Sequence, residues 1–347
     1  MDEQLLLATL KDKNILVSGG TGSFGHQIAQ ELFQYEPNSI NIYSRDEKKQ
    51  YDMALEYSEQ QNLFFNIGDV RDPERTHDAM RGIDIVFNAA ALKQVPSCEY
   101  APYEAVRTNI IGANNIRKAA IDNEVEIVIS ISTDKAVKPI NVMGMTKAIQ
   151  ERVMLDPSYR GDKTKFVCVR YGNVLGSRGS VVPLFLECIR KNLPLPITNT
   201  AMTRFQLTLR ESVQLVLWAA VEGRNGDLWV RKMPAANIVD LAKALSLGIT
   251  GGDDYPTEIV GIRPGEKIHE VLVSEEEMWR ANEMDEYFQI PGWAIPEEER
   301  GPKRKEAREY SSDQTHQMSG DEILAMLRDD GWVNADEPGR GPRKHIV

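Results

Sequence analysis

An acid and a base stand side by side in the stretch STDKAVKPINVMGMTK, residues 132–147. Asp134 and Lys135 directly follow an apolar run, residues 126–132, that predicts a β-strand. An elimination needs such a pair in one pocket, because one group removes a carbon-bound proton while the other protonates the leaving hydroxyl. The same strand delivers the hydroxyl of Thr133 to this point. The alternative interpretation is a turn that carries a surface ion pair.

A further cation follows on the helix predicted after this turn. Lys147 lies one helical turn beyond Met143, so the two side chains face the same side of that helix. An exposed lysine is usually only solvated, but beside a bound dinucleotide Lys147 can hydrogen-bond the nicotinamide ribose and lower neighbouring pKa values. The thioether of Met143 cannot move a proton. Either the protein is not a redox enzyme, or its acid–base groups lie elsewhere.

A glycine-rich turn near the N-terminus predicts dinucleotide binding. The apolar run NILVS, residues 14–18, leads into the pattern Gly19-x-x-Gly22-x-x-Gly25 and then into a helical pattern. One glycine permits the tight turn, another lets the backbone approach a pyrophosphate, and the last lets helix and strand pack closely. The helix N-terminus adds unpaired N–H groups and the positive end of a dipole. The predicted cofactor contacts in this turn are Gly19, Thr21, Gly22, Ser23, Phe24 and Gly25.

The end of the second predicted strand bears on the choice between NADP and NAD. An acid there would hold the ribose 2′-hydroxyl of NAD, whereas Ser44 and Arg45 offer a hydroxyl and a cation to the 2′-phosphate of NADP. We therefore expect NADP; the alternative is that Arg45 only pairs with a surface acid. Asp69, after the third strand, is expected to bind the adenine amine or else to cap its own turn. Further expected cofactor contacts are Val70, Ala89, Ala90, Lys93 and Asn109.

Six apolar runs alternate with helical patterns over the first half of the chain. They lie at residues 14–18, 39–44, 62–68, 83–91, 126–132 and 166–174. The alternation predicts a parallel sheet with helices on both faces, a Rossmann-like doubly wound α/β fold. We expect an NADP-binding domain over 1–174 and a smaller mixed substrate-binding lobe over 175–293, which partly returns to the first domain. A C-terminal arm over 294–347 is expected to carry a short helix from Asp321 to Arg328.

Composition and charge exclude some classes of function. The chain has 347 residues, of which 41% are hydrophobic and 27% charged, an ordinary globular mixture. A net charge of −11 argues against non-specific nucleic-acid binding, which needs a cationic surface. We expect no membrane span, no signal peptide and a cytoplasmic location. The three cysteines, Cys98, Cys168 and Cys188, lack metal-ligand spacing, so no metal site is expected.

The motifs together resemble a known family, the extended short-chain dehydrogenase/reductases, and within it the UDP-N-acetylglucosamine 4,6-dehydratases of bacterial surface glycan synthesis. The resemblance covers roughly residues 10–290. The motifs that carry it are GGTGSFG, YSRDEKKQ, GDVRD, NAAALKQVPSCEY, TNIIGANN, STDKAVKPINVMGMTK, RYGNVLGSRGSVVPLF, MTRFQLTL and GIRPGEKIHE. It implies a UDP-sugar substrate, a tightly held NADP that is regenerated in each cycle, and a homo-oligomer, either hexamer or dimer.

The resemblance also implies a reaction course. Hydride leaves sugar C4, the 4-ketone acidifies the C5 proton, a base removes that proton as the C6 hydroxyl departs, and the hydride returns to C6. In inverting members of the family the lysine of the TDK segment acts at C5 and the aspartate serves the C6 hydroxyl, which here are Lys135 and Asp134. The implied product is UDP-2-acetamido-2,6-dideoxy-β-L-arabino-hex-4-ulose.

Met143 stands where most of the superfamily has a catalytic tyrosine, and in this respect the chain is similar to capsule-type members. The RPGEK motif is more similar to flagellin-type members, so the subgroup stays open. Without the tyrosine, the proton of the C4 hydroxyl must leave by another route. The candidates are Thr133 with water, Lys147 and Asp134, with Met143 as an apolar contact that shapes the pocket.

The resemblance places the substrate contacts in the motifs that follow the fourth strand. Three arginines suit a pyrophosphate, because a guanidinium fork matches paired oxygens, although any one of them could instead form a surface salt bridge. The expected contacts are Lys93, Tyr171, Asn173, Arg178, Val181, Thr203, Arg204, Arg263 and Glu266. Two alternatives stay open: a dehydratase or epimerase for another nucleotide sugar, such as GDP-GlcNAc, and a non-catalytic regulator that binds NADP or nucleotide sugar.

Overall fold

A nine-stranded sheet forms the centre of the structure, a computed structural model that describes residues 3–158, 163–177, 179–292 and 306–333. Its strands are β1 (Asn14–Ser18), β2 (Ser39–Ser44), β3 (Leu63–Ile67), β4 (Ile85–Asn88), β5 (Ile127–Ile131), β6 (Lys165–Arg170), β10 (Leu228–Arg231), β14 (Asn282–Glu283) and β15 (Tyr287–Ile290). They run in the order β14-β15-β10-β6-β5-β4-β1-β2-β3. All neighbours from β10 to β3 are parallel. The predicted Rossmann-like sheet is therefore confirmed.

Shorter strands and the helices complete the fold. The remaining strands are β7 (Asn173–Val174), β8 (Leu195–Ile197), β9 (Thr203–Leu207), β11 (Ala235–Asn237), β12 (Thr257–Ile259), β13 (Val271–Val273) and β16 (Tyr310–Ser311). The helices are α1 (Glu3–Leu10), α2 (Ser23–Leu32), α3 (Glu47–Glu56), α4 (Pro73–Ala79), α5 (Val95–Tyr100), α6 (Pro102–Ala105), α7 (Gly112–Asp122), α8 (Val142–Met154), α9 (Val181–Arg190), α10 (Leu209–Glu222), α11 (Ile238–Thr250), α12 (Glu275–Met278) and α13 (Gly320–Asp329). A π-helical turn, Val106–Ile111, leads into α7, and a 3₁₀ turn, Asp134–Ala136, follows β5.

The sheet continues beyond the six strands that the apolar runs predict. Strand β10 pairs with β6 in parallel, and β15 then pairs with β10 in the antiparallel sense. Strand β14 pairs with β15 and completes that edge. Segments of the second half of the chain thus return to the first-half sheet and extend it.

The sixth predicted strand is divided in two. Strand β6 ends at Arg170, and β7 pairs with β9 in a separate three-stranded sheet of order β11-β9-β7. Gly172 lies at the break, and a Cβ there would stand 2.3 Å from the Cβ of Phe205. A side chain would therefore prevent this approach. The chain leaves the main sheet here and enters a second lobe with its own apolar core around α9, α11 and α13.

The last described segment packs against this second lobe. Strand β16 pairs with β13, where an extended or mobile arm over 294–318 was expected, although residues 294–305 of that prediction lie outside the described residues. Helix α13 begins after Ser319, which forms a capping box with Glu322 as its spacing predicts. Among the helices that the structure describes, none is both long and apolar enough to cross a membrane.

Candidate active site

The glycine-rich turn between β1 and α2 has the geometry that a dinucleotide needs. Gly19 has a φ of +67°, and a Cβ on it would lie 2.9 Å from the backbone of Ala90. A Cβ on Gly25 would lie 1.9 Å from the carbonyl oxygen of Gly20, so only glycine lets α2 pack this closely on the turn. Helix α2 starts after Gly22, which has no side chain to cap it. The positive end of the helix is thus left for an anion.

Polar contacts join this turn to the end of β2. The Thr21 Oγ1 and Ser44 Oγ atoms lie 2.8 Å apart and both residues are buried. Arg45 is more than half exposed, and its Nη1 lies 3.7 Å from Asp69 Oδ2. Asp46 accepts a hydrogen bond of 3.1 Å from the Lys49 backbone N–H as the N-cap of α3. The acid at this strand end therefore stabilises a helix start.

Arg71, which was not among the predicted cofactor contacts, pairs with the predicted contact Asp69. Its Nη2 donates to Asp69 Oδ2 at 2.5 Å and its Nη1 donates to Glu104 Oε2 at 2.6 Å. Burial disfavours the charged form of Asp69, but the hydrogen bonds from Arg71 outweigh it and hold the pKa of that carboxyl below its usual value. The signal was the arginine two residues after Asp69 in GDVRD.

The other predicted cofactor residues line or support the same edge of the sheet. Val70 is buried, and a Cβ on Gly112 would stand 2.7 Å from its Cγ2. The Asn109 side chain is fully buried, accepts from the Leu92 N–H at 2.8 Å and donates to the Leu92 carbonyl at 3.0 Å. Asn109 therefore fixes the segment after β4, which also carries the exposed Lys93.

The acid and the base after β5 are in direct contact, with the acid buried and the base partly exposed. Asp134 is 0% exposed, and its Oδ1 accepts from Thr133 Oγ1 at 2.8 Å and from Lys135 Nζ at 3.0 Å. Its Oδ2 is also buried and has no hydrogen-bond partner within the described parts of the chain. The pair is thus not a surface ion pair. Among the described residues, Oδ2 thus leaves one acceptor position of the Asp134 carboxylate unused beside Lys135.

Glu270 is a second carboxylate at this site and was also missed. Its Oε1 lies 3.5 Å from Lys135 Nζ, and its side chain is only 3% exposed. Asn173 Oδ1 accepts from the same ammonium group at 3.5 Å. Burial disfavours the charge on Lys135, but Asp134 and Glu270 outweigh burial and raise its pKa. The only signal was the acid at the end of the motif GIRPGEKIHE.

Lys147, predicted to contact the nicotinamide ribose, is buried within the protein. Its Nζ donates to the Ile131 carbonyl at 2.5 Å and to Gln150 Oε1 at 2.6 Å. Burial lowers its pKa to about 8, since the charged form loses its hydration. Gln150 Nε2 in turn donates to Ser130 Oγ at 2.8 Å. The lysine is therefore held by β5 and by its own helix.

Met143 is buried in a small apolar cluster with Cys98 and Ala105. The next residue, Gly144, lets α8 pack against the Asp134–Ala136 turn, because a Cβ there would lie 2.2 Å from the Lys135 carbonyl oxygen. The start of α8 is also held by Asn141, whose Oδ1 accepts from the Gly144 N–H at 2.7 Å. Met143 thus acts as packing at the place where a tyrosine would stand.

A pocket beside the acid–base pair contains three of the predicted substrate contacts, Asn173, Val181 and Arg204. Its lining is Asn173, Val174, Leu175, Gly176, Ser180, Val181, Val182, Arg204, Gln206, Ala236 and Ile238. The Arg204 guanidinium donates to the carbonyls of Thr203, Lys267 and Ile268 at 2.7, 2.8 and 2.9 Å, which fixes its orientation. Thr203 itself bonds His269 and Ser312.

The remaining predicted substrate contacts have different positions. Tyr171 is buried, and its carbonyl accepts from the Asp134 N–H at 3.2 Å. Arg263 lies on an exposed loop, where its N–H donates to Glu266 Oε2 at 3.2 Å. That loop reaches the start of α8 through Asn141, whose Nδ2 donates to the Gly265 carbonyl at 2.7 Å. Arg178 lies outside the described residues.

With this geometry established, the comparisons with known proteins decide the family. The model of a family described as polysaccharide biosynthesis protein matches residues 15–292. The chain belongs to this polysaccharide biosynthesis family. The match spans the glycine-rich turn, the Asp134–Lys135 pair and the segment that carries Glu270.

Curated relatives of this family member are named as UDP-sugar enzymes. A UDP-glucose 4-epimerase of Rickettsia bellii is 43% identical over 337 residues, which are 94% of this chain and 98% of the relative. A UDP-glucose 4-epimerase of Rickettsia typhi is 48% identical over 288 residues, with 81% and 83% covered. These relatives are named as epimerases, whereas the motifs of this chain resemble those of dehydratases.

Solved structures agree with the fold of the family member. Pen from Bacillus thuringiensis superposes with a TM-score of 0.87 at 36% identity, covering 92% of this chain and 98% of that one. A dTDP-glucose 4,6-dehydratase of Streptomyces venezuelae, solved with NAD, gives a TM-score of 0.67 at 19% identity, covering 74% and 86%. The second likeness, at this low identity, concerns the fold alone.

Proposed function

We propose that this protein catalyses the NADP-dependent 4,6-dehydration of UDP-N-acetylglucosamine with inversion at C5. The observation that carries the proposal is the contact between the buried Asp134 and the part-exposed Lys135, 3.0 Å apart at the edge of the sheet. Loss of water from C5 and C6 needs both an acid and a base within reach of the sugar. A buried acid in contact with a base that remains partly accessible meets that requirement.

The second candidate is a UDP-glucose 4-epimerase, which the names of the Rickettsia relatives favour. An epimerase removes hydride from C4 and returns it to the other face, so it moves only the proton of the C4 hydroxyl. It has no need of a second acid–base group at C5 and C6. The contact between the buried Asp134 and the part-exposed Lys135 is therefore better explained by dehydration.

The bound cofactor would take up hydride from C4 and return it to C6. In our proposal, Thr133 accepts the proton of the C4 hydroxyl and passes its own proton to Asp134 Oδ1, to which it is hydrogen-bonded at 2.8 Å. Asp134 then gives that proton to the C6 hydroxyl, which leaves as water. Neutral Lys135 takes the C5 proton and releases it to solvent, and a proton from solvent reaches the opposite face of C5 after hydride addition at C6. The protons balance without the missing tyrosine.

We infer that the cofactor is NADP. The two cations at the end of β2 and β3, Arg45 and Arg71, converge on Asp69 at 3.7 and 2.5 Å, where the adenosine ribose would lie. A 2′-phosphate pairs well with a guanidinium. Asp46, the acid that would bind the 2′-hydroxyl of NAD, is used as the N-cap of α3.

We further infer that the protein forms a homo-oligomer, a dimer or a hexamer, through an apolar surface on neighbouring helices. Tyr100 and Tyr103 are 92% and 68% exposed, and Ile149 on the adjoining α8 is 47% exposed. Large apolar side chains gathered in this way often mark contacts between chains. Light scattering of the purified protein tests the inference, which a monomer at all concentrations would contradict.

The dehydratase proposal is tested by incubating the purified protein with UDP-N-acetylglucosamine in deuterated water. We expect a keto-sugar product that has lost one water, carries deuterium at C5 and forms without net NADPH. UDP-glucose is the parallel substrate. Conversion of UDP-glucose to UDP-galactose, with neither water loss nor deuterium at C5 from either sugar, would establish the epimerase instead.

A further inference from the structure

Glu270 reaches the acid–base pair from the second lobe. It directly precedes β13, and its backbone is held on both sides by Ser312: the Glu270 N–H donates to Ser312 Oγ at 2.9 Å, and its carbonyl accepts from the Ser312 N–H at 2.8 Å. The side chain is 3% exposed and points at Lys135. The reaction proposed above assigns no role to this carboxylate.

Charged side chains from both lobes surround the Lys135 ammonium group. The charged groups that face it are Asp134 at 3.0 Å, Glu270 at 3.5 Å and Arg204 on β9. Lys267 Nζ lies on the far side of Glu270, 3.7 Å from its Oε2 and 2.6 Å from the Val137 carbonyl oxygen. A buried carboxylate needs opposite charges close by, since it loses its hydration. Glu270 therefore forms an ion pair with each of the two lysines, one through each carboxylate oxygen.

We propose that Glu270 is a positioning residue that holds the Lys135 ammonium between two carboxylates and, balanced by Lys267, sets how readily Lys135 becomes a neutral base. The catalytic part of this proposal rests on the dehydratase function. The electrostatic part concerns only residues of this chain. In this proposal, the charges of residues 267 and 270 in the second lobe act on the reacting lysine.

The two partners act on Lys135 in opposite directions. The Glu270 anion raises the pKa of Lys135, so Glu270→Gln lowers it and leaves more neutral lysine at a given pH. The Lys267 cation opposes Glu270, so Lys267→Met raises the pKa of Lys135. We expect the acidic limb of the rate profile to move by about one pH unit down in the first variant and up in the second.

The kinetic experiment measures deuterium entry at C5 of UDP-N-acetylglucosamine against pH for both variants. Glu270→Asp keeps the charge and should keep the profile near that of the unchanged protein. Glu276→Gln removes a charge from an exposed side chain that pairs with Arg280, and is the matched control. Equal rate losses at every pH in both variants would mean that Glu270 only stabilises the fold, and would overturn the proposal.

A second measurement needs no substrate. Acetic anhydride acylates only the neutral amine, and the Lys135 side chain is 22% exposed, so its labelling against pH, read by peptide mass spectrometry, reports its protonation. We expect the labelling curve to move with the same signs in Glu270→Gln and Lys267→Met. An unmoved curve overturns the proposal even if water is lost from the sugar. A moved curve without water loss keeps the electrostatic role and refutes the dehydratase function.

Discussion

Lys135 lies in contact with Asp134 and close to Glu270, and its chemistry depends on all three charges. Lys147 is also a lysine near the end of β5, but its hydrogen-bond partners are a carbonyl and an amide oxygen rather than carboxylates. The surroundings of the two lysines therefore shift their pKa values in opposite directions. Burial disfavours the charged form of both lysines, but Asp134 and Glu270 outweigh it and raise the pKa of Lys135, whereas burial lowers the pKa of Lys147.

Replacing Lys135 by alanine tests the base directly. We expect Lys135→Ala to reduce deuterium exchange at C5 by about 10²–10⁴-fold, the usual contribution of a positioned acid or base. NADP binding, followed by fluorescence, should remain. Lys138→Ala is the control, since that lysine is half exposed and pairs with Glu309 outside the buried cluster. Exchange at the original rate in Lys135→Ala would exclude it as the base.

Replacing Met143 by tyrosine tests whether the missing phenol limits the reaction. Met143 is 4% exposed and packs on Cys98 and Ala105, so a larger ring must displace its neighbours. We expect Met143→Tyr to lower the free energy of unfolding by about 1–3 kcal/mol and to leave kcat without a gain. Met143→Leu, of similar volume, is the control for packing. A large increase of kcat in the tyrosine variant would show that the methionine limits oxidation at C4.

The buried Lys147 predicts a pH dependence of stability. Its pKa of about 8 in the folded protein lies below the value of 10.5 for a free lysine, so the unfolded chain binds more protons between these pH values. Stability therefore rises with pH across this window. We expect a gain of about 3 kcal/mol relative to Lys147→Met, measured by urea unfolding at pH 7.5 and 10.5. An equal pH dependence in the variant would contradict this.

At the scale of elements, a buried guanidinium joins β6, α8 and α12. Arg170 donates to both carboxylate oxygens of Glu151 at 2.7 and 2.6 Å, and to both of Glu277 at 2.8 Å. Burial opposes the charge of Glu277, but Arg170 outweighs it and lowers the pKa of that carboxyl to about 2. We call these ion pairs of Arg170 with Glu151 and Glu277 the Arg170 clamp. Since Glu151 lies one turn after Lys147, the clamp also fixes the helix that positions the lysine.

Breaking this clamp should be costly. Arg170→Met leaves two buried carboxylates facing each other, and we expect a loss of about 3–5 kcal/mol in the free energy of unfolding. Chemical denaturation followed by circular dichroism measures it. Arg81→Met is the matched control, because that arginine is 70% exposed and its pair with Asp78 should contribute less than about 1 kcal/mol. A loss no greater than that of the control would contradict the role of the clamp.

At the scale of the whole molecule, the candidate site lies where the sheet meets the second lobe. The sheet provides Asp134 and Lys135, and the second lobe provides Arg204, Lys267 and Glu270. Ser312, from the last described segment, binds both Thr203 and Glu270. The final segment of the chain is thus part of the support of the site.

Removing the Ser312 hydroxyl should therefore weaken the site from a distance. We expect Ser312→Ala to reduce the free energy of unfolding by about 1–3 kcal/mol, because the buried Glu270 N–H loses its acceptor. We also expect the rate of C5 exchange to fall. Gln314→Ala, at an exposed position of the same turn, is the control. Unchanged stability and rate in Ser312→Ala would show that this segment does not support the site.

The sequence by itself determined the elements whose signals are local. Five of the six predicted strands match within a few residues, the glycine-rich turn has the required geometry, and α13 starts at its predicted capping box. Periodicity, turn glycines and caps act between residues a few positions apart, so they can be read from the chain. The closeness of Asp134 and Lys135 can also be read from the chain, because the two residues are neighbours in the sequence.

Only the tertiary structure decided which distant groups complete the site. Glu270 meets Lys135 because the second lobe folds back onto the sheet, and Arg170 joins Glu151 and Glu277 in the same way. At the break in the sixth strand, Gly172 allows the close approach of Phe205 on β9. These contacts join residues far apart in the chain, and no local pattern encodes which of many acids will face a given lysine. Packing of the two lobes therefore set the charge balance at the site.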